Sequence, residues 1–159
     1  MVHLIRAAGQ KPGGKFSFLS VLALALTALA GWLMVEDKPA LAVAAQSFSI
    51  CRTPPFQNCV VDGDTFYLGR EAIRIADIDA PETHPARCPQ EAELGDMATK
   101  RLREILNARP FQLQIYERDT DNYGRKLRVV AQNGYSVGGM LVSEGLARTW
   151  TGKRRPWCG

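Results

Sequence analysis

Residues 59–68 read CVVDGDTFYL and residues 72–78 read AIRIADI. β-forming residues dominate both stretches, and Leu68-Gly69-Arg70 between them has turn composition. The first is expected as a strand bent at Gly63 and the second as a strand that stops at Asp79-Ala80-Pro81-Glu82, where Pro81 has no N–H for a ladder. Downstream, residues 83–89 hold two prolines and read as a loop. Residues 90–107 place Ala92, Leu94, Met97, Ala98, Leu102, Ile105 and Leu106 at helical spacing despite Gly95. Residues 111–116, FQLQIY, alternate as a strand does, and 119–124 are rich in turn formers. Residues 126–132 form another strand, closed by a tight Asn133-Gly134 turn. Residues 136–147 predict a short helix with Val137, Met140, Leu141 and Leu146 inward. The order β-β-α-β-β-α predicts an α+β domain over residues 51–159, a small curled sheet with helices packed on it.

Upstream the composition changes. Residues 16–35, FSFLSVLALALTALAGWLMV, carry no charge and as a helix would span roughly 30 Å, one bilayer core. Arg6, Lys11 and Lys15 precede them and Glu36-Asp37 follow, which orients the remainder of the chain outside the cytoplasm. Two readings stay open: an uncleaved anchor, or a signal peptide cut near Ala28-Leu29-Ala30 or Ala40-Leu41-Ala42. The apolar run exceeds the usual signal core of about 7–15 residues, which favours the anchor. Residues 1–35 are therefore expected as a transmembrane or signal helix, 36–50 as a linker with weak helical character in its Ala-rich part, and 51–159 as a periplasmic or extracellular domain. The domain is membrane-anchored if the segment stays and secreted if it is cut.

The chain has 159 residues, 46% hydrophobic and 23% charged, which is ordinary for a globular protein and too short for an α/β barrel of about 250 residues. Its net charge of +4 is unevenly placed: residues 1–35 carry +3, 36–59 sum to zero, 60–99 carry −6 and 100–159 carry +7. The acidic block followed by a basic one suits a cation site beside a polyanion-binding surface. Cys51, Cys59, Cys88 and Cys158 all follow the apolar segment, and an even count in an exported domain predicts two disulfides. Of the three possible pairings, Cys51–Cys59 and Cys88–Cys158 are expected, one local and one tying the tail to the body. The alternative is a zinc site, whose usual ligand spacing is absent, because no C-x-x-C pair exists and His3 and His84 are the only histidines.

Two acidic motifs carry the candidate chemistry. In Asp62-Gly63-Asp64-Thr65 the acids are two apart and would share a face of a strand. In Asp77-Ile78-Asp79-Ala80-Pro81-Glu82 a proline turn presents acids from a strand end. Clustered carboxylates suit a hard cation that takes carboxylate and carbonyl oxygens. An EF-hand is excluded because position twelve, counted from Asp62, is Ile73. Arg74 leads into the second motif, and Arg125 follows Asp121-Asn122-Tyr123-Gly124 in a turn. A guanidinium forks onto phosphate, so these residues form a kit for phosphodiester hydrolysis. Strand parity sets Arg74 opposite Asp77 and Asp79, so a bend is required to unite them.

Together, Val60-Val61-Asp62-Gly63-Asp64-Thr65, Ile73-Arg74-Ile75 with Ile78-Asp79-Ala80-Pro81-Glu82-Thr83, Asp121-Asn122-Tyr123-Gly124-Arg125, and Leu141-Val142-Ser143-Glu144-Gly145-Leu146-Ala147 resemble the staphylococcal nuclease (thermonuclease) family over residues 60–150. The resemblance implies a five-stranded OB-fold-like β-barrel with packed helices, a Ca²⁺ site, and cleavage of DNA and RNA that leaves 3′-phosphate ends. It implies Asp64 and Asp79 as calcium carboxylates and the Ala80 carbonyl as a further ligand. Glu82 would be the general base, Arg74 and Arg125 the phosphate clamps, and Asp62 a supporting acid. Tyr123 would line the nucleotide pocket. Nucleic acid is the implied partner, the membrane a second one through the N-terminal helix, and no obligate protein partner is implied.

The chain departs from the family after Glu82, where the loop carries Arg87 and Cys88 with few cations, and after Ala147. There Trp150 is expected either to stack on a base or to be core. Gly134-Tyr135-Ser136-Val137-Gly138 matches a serine-hydrolase elbow, but no histidine follows His84 to serve it. His84, two residues after Glu82, is a further candidate proton shuttle. The rival reading is a non-enzymatic OB module that binds single strands, and a disulfide-stapled scaffold is a third. Completeness of Asp64, Asp79, Glu82, Arg74 and Arg125 separates the enzyme from both.

Overall fold

In the computed structural model, which describes residues 40–159, the deciding stretch is a hairpin rather than one bent strand. Strands β3 (Cys59–Asp62) and β4 (Thr65–Leu68) run antiparallel through a two-residue Gly63-Asp64 turn, with a bulge between Val60 and Asp62. A Cβ on Gly63 would lie 2.6 Å from Ala98 Cβ and 2.8 Å from Ala80 Cβ. Glycine is therefore required where this turn presses on its neighbours. The expectation that Asp62 and Asp64 share one strand face fails for the same reason, since the turn separates them.

Strand β5 (Glu71–Ile75) continues from β4, and after the Ala76-Asp77 turn a short β6 (Ile78–Asp79) follows. That turn is the bend that strand parity demands. Helix α1 (Pro89–Ala108) comes next, then β7 (Phe111–Thr120), β8 (Lys126–Gln132), β9 (Tyr135–Ser136), α2 (Val137–Ser143) and β10 (Arg148–Thr149). Asn133 and Gly134 take positive φ between β8 and β9, as a tight hairpin turn needs. The predicted second helix stops at Ser143 because Gly145 adopts φ 74° and Leu146 N–H bonds back to Leu141.

Upstream, β1 (Ala40–Val43) pairs antiparallel with β7, and β2 (Ser49–Ile50) pairs parallel with β3. Residues 40–50 therefore belong in part to the sheet, where the composition suggested a linker. Their backbone groups find partners on the open edges of β7 and β3, which local propensity does not reveal. The strand order is β1-β7-β8-β5-β4-β3-β2 with β9 on β8, and β6 pairs separately with β10. Among the described residues this is an α+β arrangement whose sheet path is open, since no pairing closes β7 onto β3. The expected closed barrel is not found; the edges that closure would join carry β1 and β2 instead.

The core lies between the sheet and the helices. Phe66, Ile73, Ile75, Leu102, Leu106, Val130 and Leu141 are fully buried, each worth about 1.5–3 kcal/mol in transfer free energy. Phe66 meets Phe48 and Phe111 edge-on at centroid distances of 5.8 and 6.0 Å. Helix α1 is rolled so that Glu91, Gly95 and Thr99 join the buried stripe, while Met97, expected inward, is exposed. The roll has a cause: a Cβ at Gly95 would stand 3.0 Å from the carbonyl oxygens of Pro81 and Glu82. The acidic loop rests on the helix at this glycine.

Both expected disulfides form, Cys51–Cys59 and Cys88–Cys158. The apolar segment 16–35, with its anchor or signal role, lies outside the described residues. Among the described residues no helix is long and apolar enough to cross a membrane.

Candidate active site

The Gly63-Asp64 turn points the Asp64 carboxylate inward, where it is almost fully buried. Its Oδ1 accepts a hydrogen bond from the Thr65 hydroxyl at 2.9 Å, and its Oδ2 accepts the Ala80 N–H at 3.1 Å. Arg74 Nη2 lies 3.2 Å from the same Oδ2. Arg74 reaches Asp64 because β5 and β4 are antiparallel neighbours with Arg74 opposite Thr65. Its Nη1 also donates to the carbonyls of Ile75 and Ile78, at 2.7 and 3.2 Å. One guanidinium thus pairs a buried carboxylate and holds the Ala76-Asp77 corner.

Arg125 joins the cluster through Thr65, donating from Nη1 to Thr65 Oγ1 at 3.2 Å. Asp121 aims it, accepting from Arg125 Nε at 2.7 Å and from the Arg125 and Tyr123 backbone N–H groups at 3.0 and 2.9 Å. Burial pushes the Asp121 carboxyl up, but these bonds outweigh it and hold the group below its ordinary value. Tyr123 is exposed, and its ring lies beneath the Arg125 guanidinium at 5.5 Å.

The supporting acid Asp62 accepts the Asp64 N–H at 3.0 Å and so fixes the turn. Burial, with the Asp64 charge adding to it, pushes Asp62 up to about 7. Asp79 is also pushed up, by burial above all and then by Asp64, while Arg154 and Arg74 oppose the rise.

Asp79 Oδ1 is buried without a hydrogen-bond partner. A buried carboxylate oxygen without a hydrogen-bond partner suits a cation. The expected ligands Asp64, Asp79 and the Ala80 carbonyl all offer oxygen, a chemistry that fits a hard divalent ion. The one trio of candidate ligand atoms within 4.8 Å of one another among the described residues is Cys88, Glu91 and Cys158. Its two sulfurs are bonded to each other, so it holds no ion.

An open cleft of about 800 Å³ is lined by Arg74, Glu82, Tyr123, Arg125, Trp150 and Arg154 among others. It therefore brings together both expected clamps, the expected base and both expected aromatic contacts, with Asp64 and Asp79 buried beside it. Trp150 is half-buried, 5.7 Å from the Arg74 guanidinium carbon. It arrives there because β10 pairs antiparallel with β6, Arg148 opposite Asp79, and Trp150 N–H bonds Asp77 O at 2.9 Å. His84 is exposed and does not line the cleft. Ser136 of the serine-hydrolase-like stretch caps α2, accepting Gly139 N–H at 3.0 Å and donating to Asp77 at 2.6 Å.

Two contributors were missed in the sequence. Thr65 stood inside a quoted motif, but its bridging role depends on the hairpin. Arg154 forms an ion pair with Glu82, and its Nε lies 3.5 Å from Asp79 Oδ1. It sits in a run of three cations, Lys153-Arg154-Arg155, with no pattern to single it out.

The chain is similar to endonuclease YncB of Bacillus subtilis (strain 168), 40% identical over 94 residues that cover 55% of this chain and 44% of the relative. It is also similar to the SPbeta prophage-derived endonuclease YokF of the same organism, 43% identical over 94 residues, 55% of this chain and 31% of the relative. Micrococcal nuclease of Shigella flexneri is 34% identical over 101 residues, 55% of this chain and 53% of the relative. The chain thus spans between about a third and a half of the length of these relatives. The profile described as Staphylococcal nuclease homologue matches residues 72–156, from the strand that carries Arg74 to the segment that carries Arg154. With more than half of its length matched, the chain belongs to the family of staphylococcal nuclease homologues.

Proposed function

We propose that this protein hydrolyses phosphodiester bonds in DNA or RNA. The observation that carries this reading is the convergence of Arg74, Arg125 and Glu82 on one cleft beside the buried Asp64 and Asp79. The relatives' names, endonuclease and micrococcal nuclease, support it. So does membership in the family of staphylococcal nuclease homologues.

Asp64, Asp79 and the Ala80 carbonyl would hold Ca²⁺, which when bound supplies positive charge toward a phosphoryl oxygen. Glu82, half-buried at the cleft wall, takes the proton from a water as its oxygen attacks phosphorus. Arg74 and Arg125 face the same cleft and neutralise charge on the phosphoryl oxygens as the 5′ oxygen leaves, giving a 3′-phosphate. Arg125 is pre-aimed by Asp121, and Arg74 by the carbonyls of Ile75 and Ile78, so neither must be ordered during the reaction. Tyr123 and Trp150 offer stacking faces to bases. The uncharged segment 16–35 and the two disulfides support an exported or membrane-anchored setting.

The test is incubation of the purified chain with single-stranded DNA and with RNA, in Ca²⁺ and in excess EGTA, followed by end-group analysis. Cleavage in Ca²⁺, lowered about 10²–10⁴-fold by Glu82→Gln, supports the reading. Tight binding with no cleavage in any condition replaces it with a binding module, and undiminished cleavage in EGTA removes the calcium assignment.

A further inference from the structure

The segment 150–158 is tied down at both ends. Trp150 N–H bonds Asp77 O at 2.9 Å, and Cys158 is joined to Cys88 in the loop that follows Glu82. Between these points Arg148 Nη1 donates to Pro156 O at 3.0 Å, and its guanidinium lies 3.7 Å over the Trp157 ring. The segment thus crosses the acidic edge of the cleft as a strap.

Three cations sit on this strap, and they behave differently. Lys153 and Arg155 are exposed and form no ion pair among the described residues. Arg154, also exposed, reaches across to the acids, pairing with Glu82 and setting Nε 3.5 Å from Asp79 Oδ1, an oxygen that has no hydrogen-bond partner and meets only this guanidinium among the described residues. A guanidinium is permanently charged. Arg154 therefore sets a fixed positive charge against two acids of the cleft, one of which belongs to the donor set suited to a divalent ion. Two cations that share carboxylates compete for them.

We propose that Arg154 is a tethered counter-ion that competes with a divalent cation for these carboxylates, and that the Cys88–Cys158 bond sets the strength of that competition by holding the strap in place. The proposal rests on reading Asp64 and Asp79 as cation ligands. It makes the strap an autoinhibitory contact: the cation enters as Arg154 swings out, and the freed guanidinium then stands at the cleft rim with Arg74 and Arg125. The tether keeps its local concentration high, so displacement is reversible.

The test is calorimetric titration of the whole chain with Ca²⁺ alone, without nucleic acid. Arg154→Gln should bind Ca²⁺ roughly three- to tenfold more tightly than the parent, and saturating Ca²⁺ should raise its melting temperature by a larger increment. Arg154→Lys, which keeps the charge, should stay near the parent. Opening the tether with Cys88→Ser and Cys158→Ser should tighten Ca²⁺ binding in the parent and add nothing in Arg154→Gln. Because Arg154 is 36% exposed and outside the core, its variants should fold, which near-ultraviolet circular dichroism checks. Should the double serine variant not fold, the Arg154 variants decide alone. Equal or weaker Ca²⁺ binding by Arg154→Gln overturns the proposal and leaves the cation site standing. Absence of Ca²⁺ binding in every form overturns the cation site and the proposal with it.

Discussion

Arg74 and Asp64 form a buried ion pair, Nη2 to Oδ2 at 3.2 Å, with side chains only 8% and 3% exposed. Removing one partner strands the other in low dielectric. Arg74→Gln is expected to cost about 3–5 kcal/mol of stability, read from urea unfolding, beside a rate loss of about 10²–10³. The double variant Arg74→Gln, Asp64→Asn should cost clearly less than the two single changes added together, because the second change removes the stranded charge.

Thr65 links the two expected clamps. Its hydroxyl donates to Asp64 and accepts from Arg125. Thr65→Val keeps the shape and removes both bonds, so it should cost about 1–3 kcal/mol of stability. Cleavage should also slow, since Arg125 loses a side-chain anchor. Thr65→Ser should restore most of both. Rates for Val equal to those for Ser would show that the hydroxyl carries nothing.

Gly63 is pressed between Ala98 and Ala80. Adding one methyl forces the hairpin away from α1, and Gly63→Ala should lower stability by about 1–3 kcal/mol. Because Asp64 is the next residue, the same shift should weaken Ca²⁺ binding. Unfolding curves and a Ca²⁺ titration of the variant measure the two effects together.

Arg101 on α1 grips Glu144, the residue after α2, through Nε and Nη2 at 2.8 Å each. The hydrogen bond from Arg101 holds the Glu144 carboxyl below its ordinary value of 4.5, against a small opposing effect of burial. A depressed folded-state pKa means the stabilisation is present above about pH 4.5 and is lost as pH falls through the lower folded value. Both side chains are more than a third exposed or nearly so, so solvent screening limits the pair to about 0.2–1 kcal/mol. Glu144→Gln should therefore be less stable than the parent at pH 7 by that amount, equal to it near pH 2, and closer to it in high salt.

The elements whose local chemistry decides their form were legible in the sequence. Helix α1, strand β8 and the Asn133-Gly134 turn announce themselves through period, β-branching and turn residues. The pairs Cys51–Cys59 and Cys88–Cys158 also matched. What failed depends on distant partners. Gly63 reads as a kink until Ala98 and Ala80 are known to lie against it. Residues 40–43 read as an Ala-rich linker until β7 offers an edge. Among the site residues, Asp64, Arg74, Glu82 and Arg125 sit in motifs, but their approach relies on the Ala76-Asp77 corner and on Thr65. Arg154 was invisible because nothing in Lys153-Arg154-Arg155 tells which cation reaches across to the acids.

The double duty of Arg74 bears on how relatives with worn-down sites would look. Its guanidinium closes the corner through Ile75 and Ile78 as well as facing the cleft, so selection for folding alone would preserve it. Glu82, by contrast, pairs with Arg154 and supports no other element among the described residues. If Glu82 serves as the proposed base, a descendant without catalysis would be free to discard it while keeping Arg74. On the proposed mechanism, the presence of that glutamate would be the better diagnostic of a working enzyme, and the arginine chiefly a marker of ancestry.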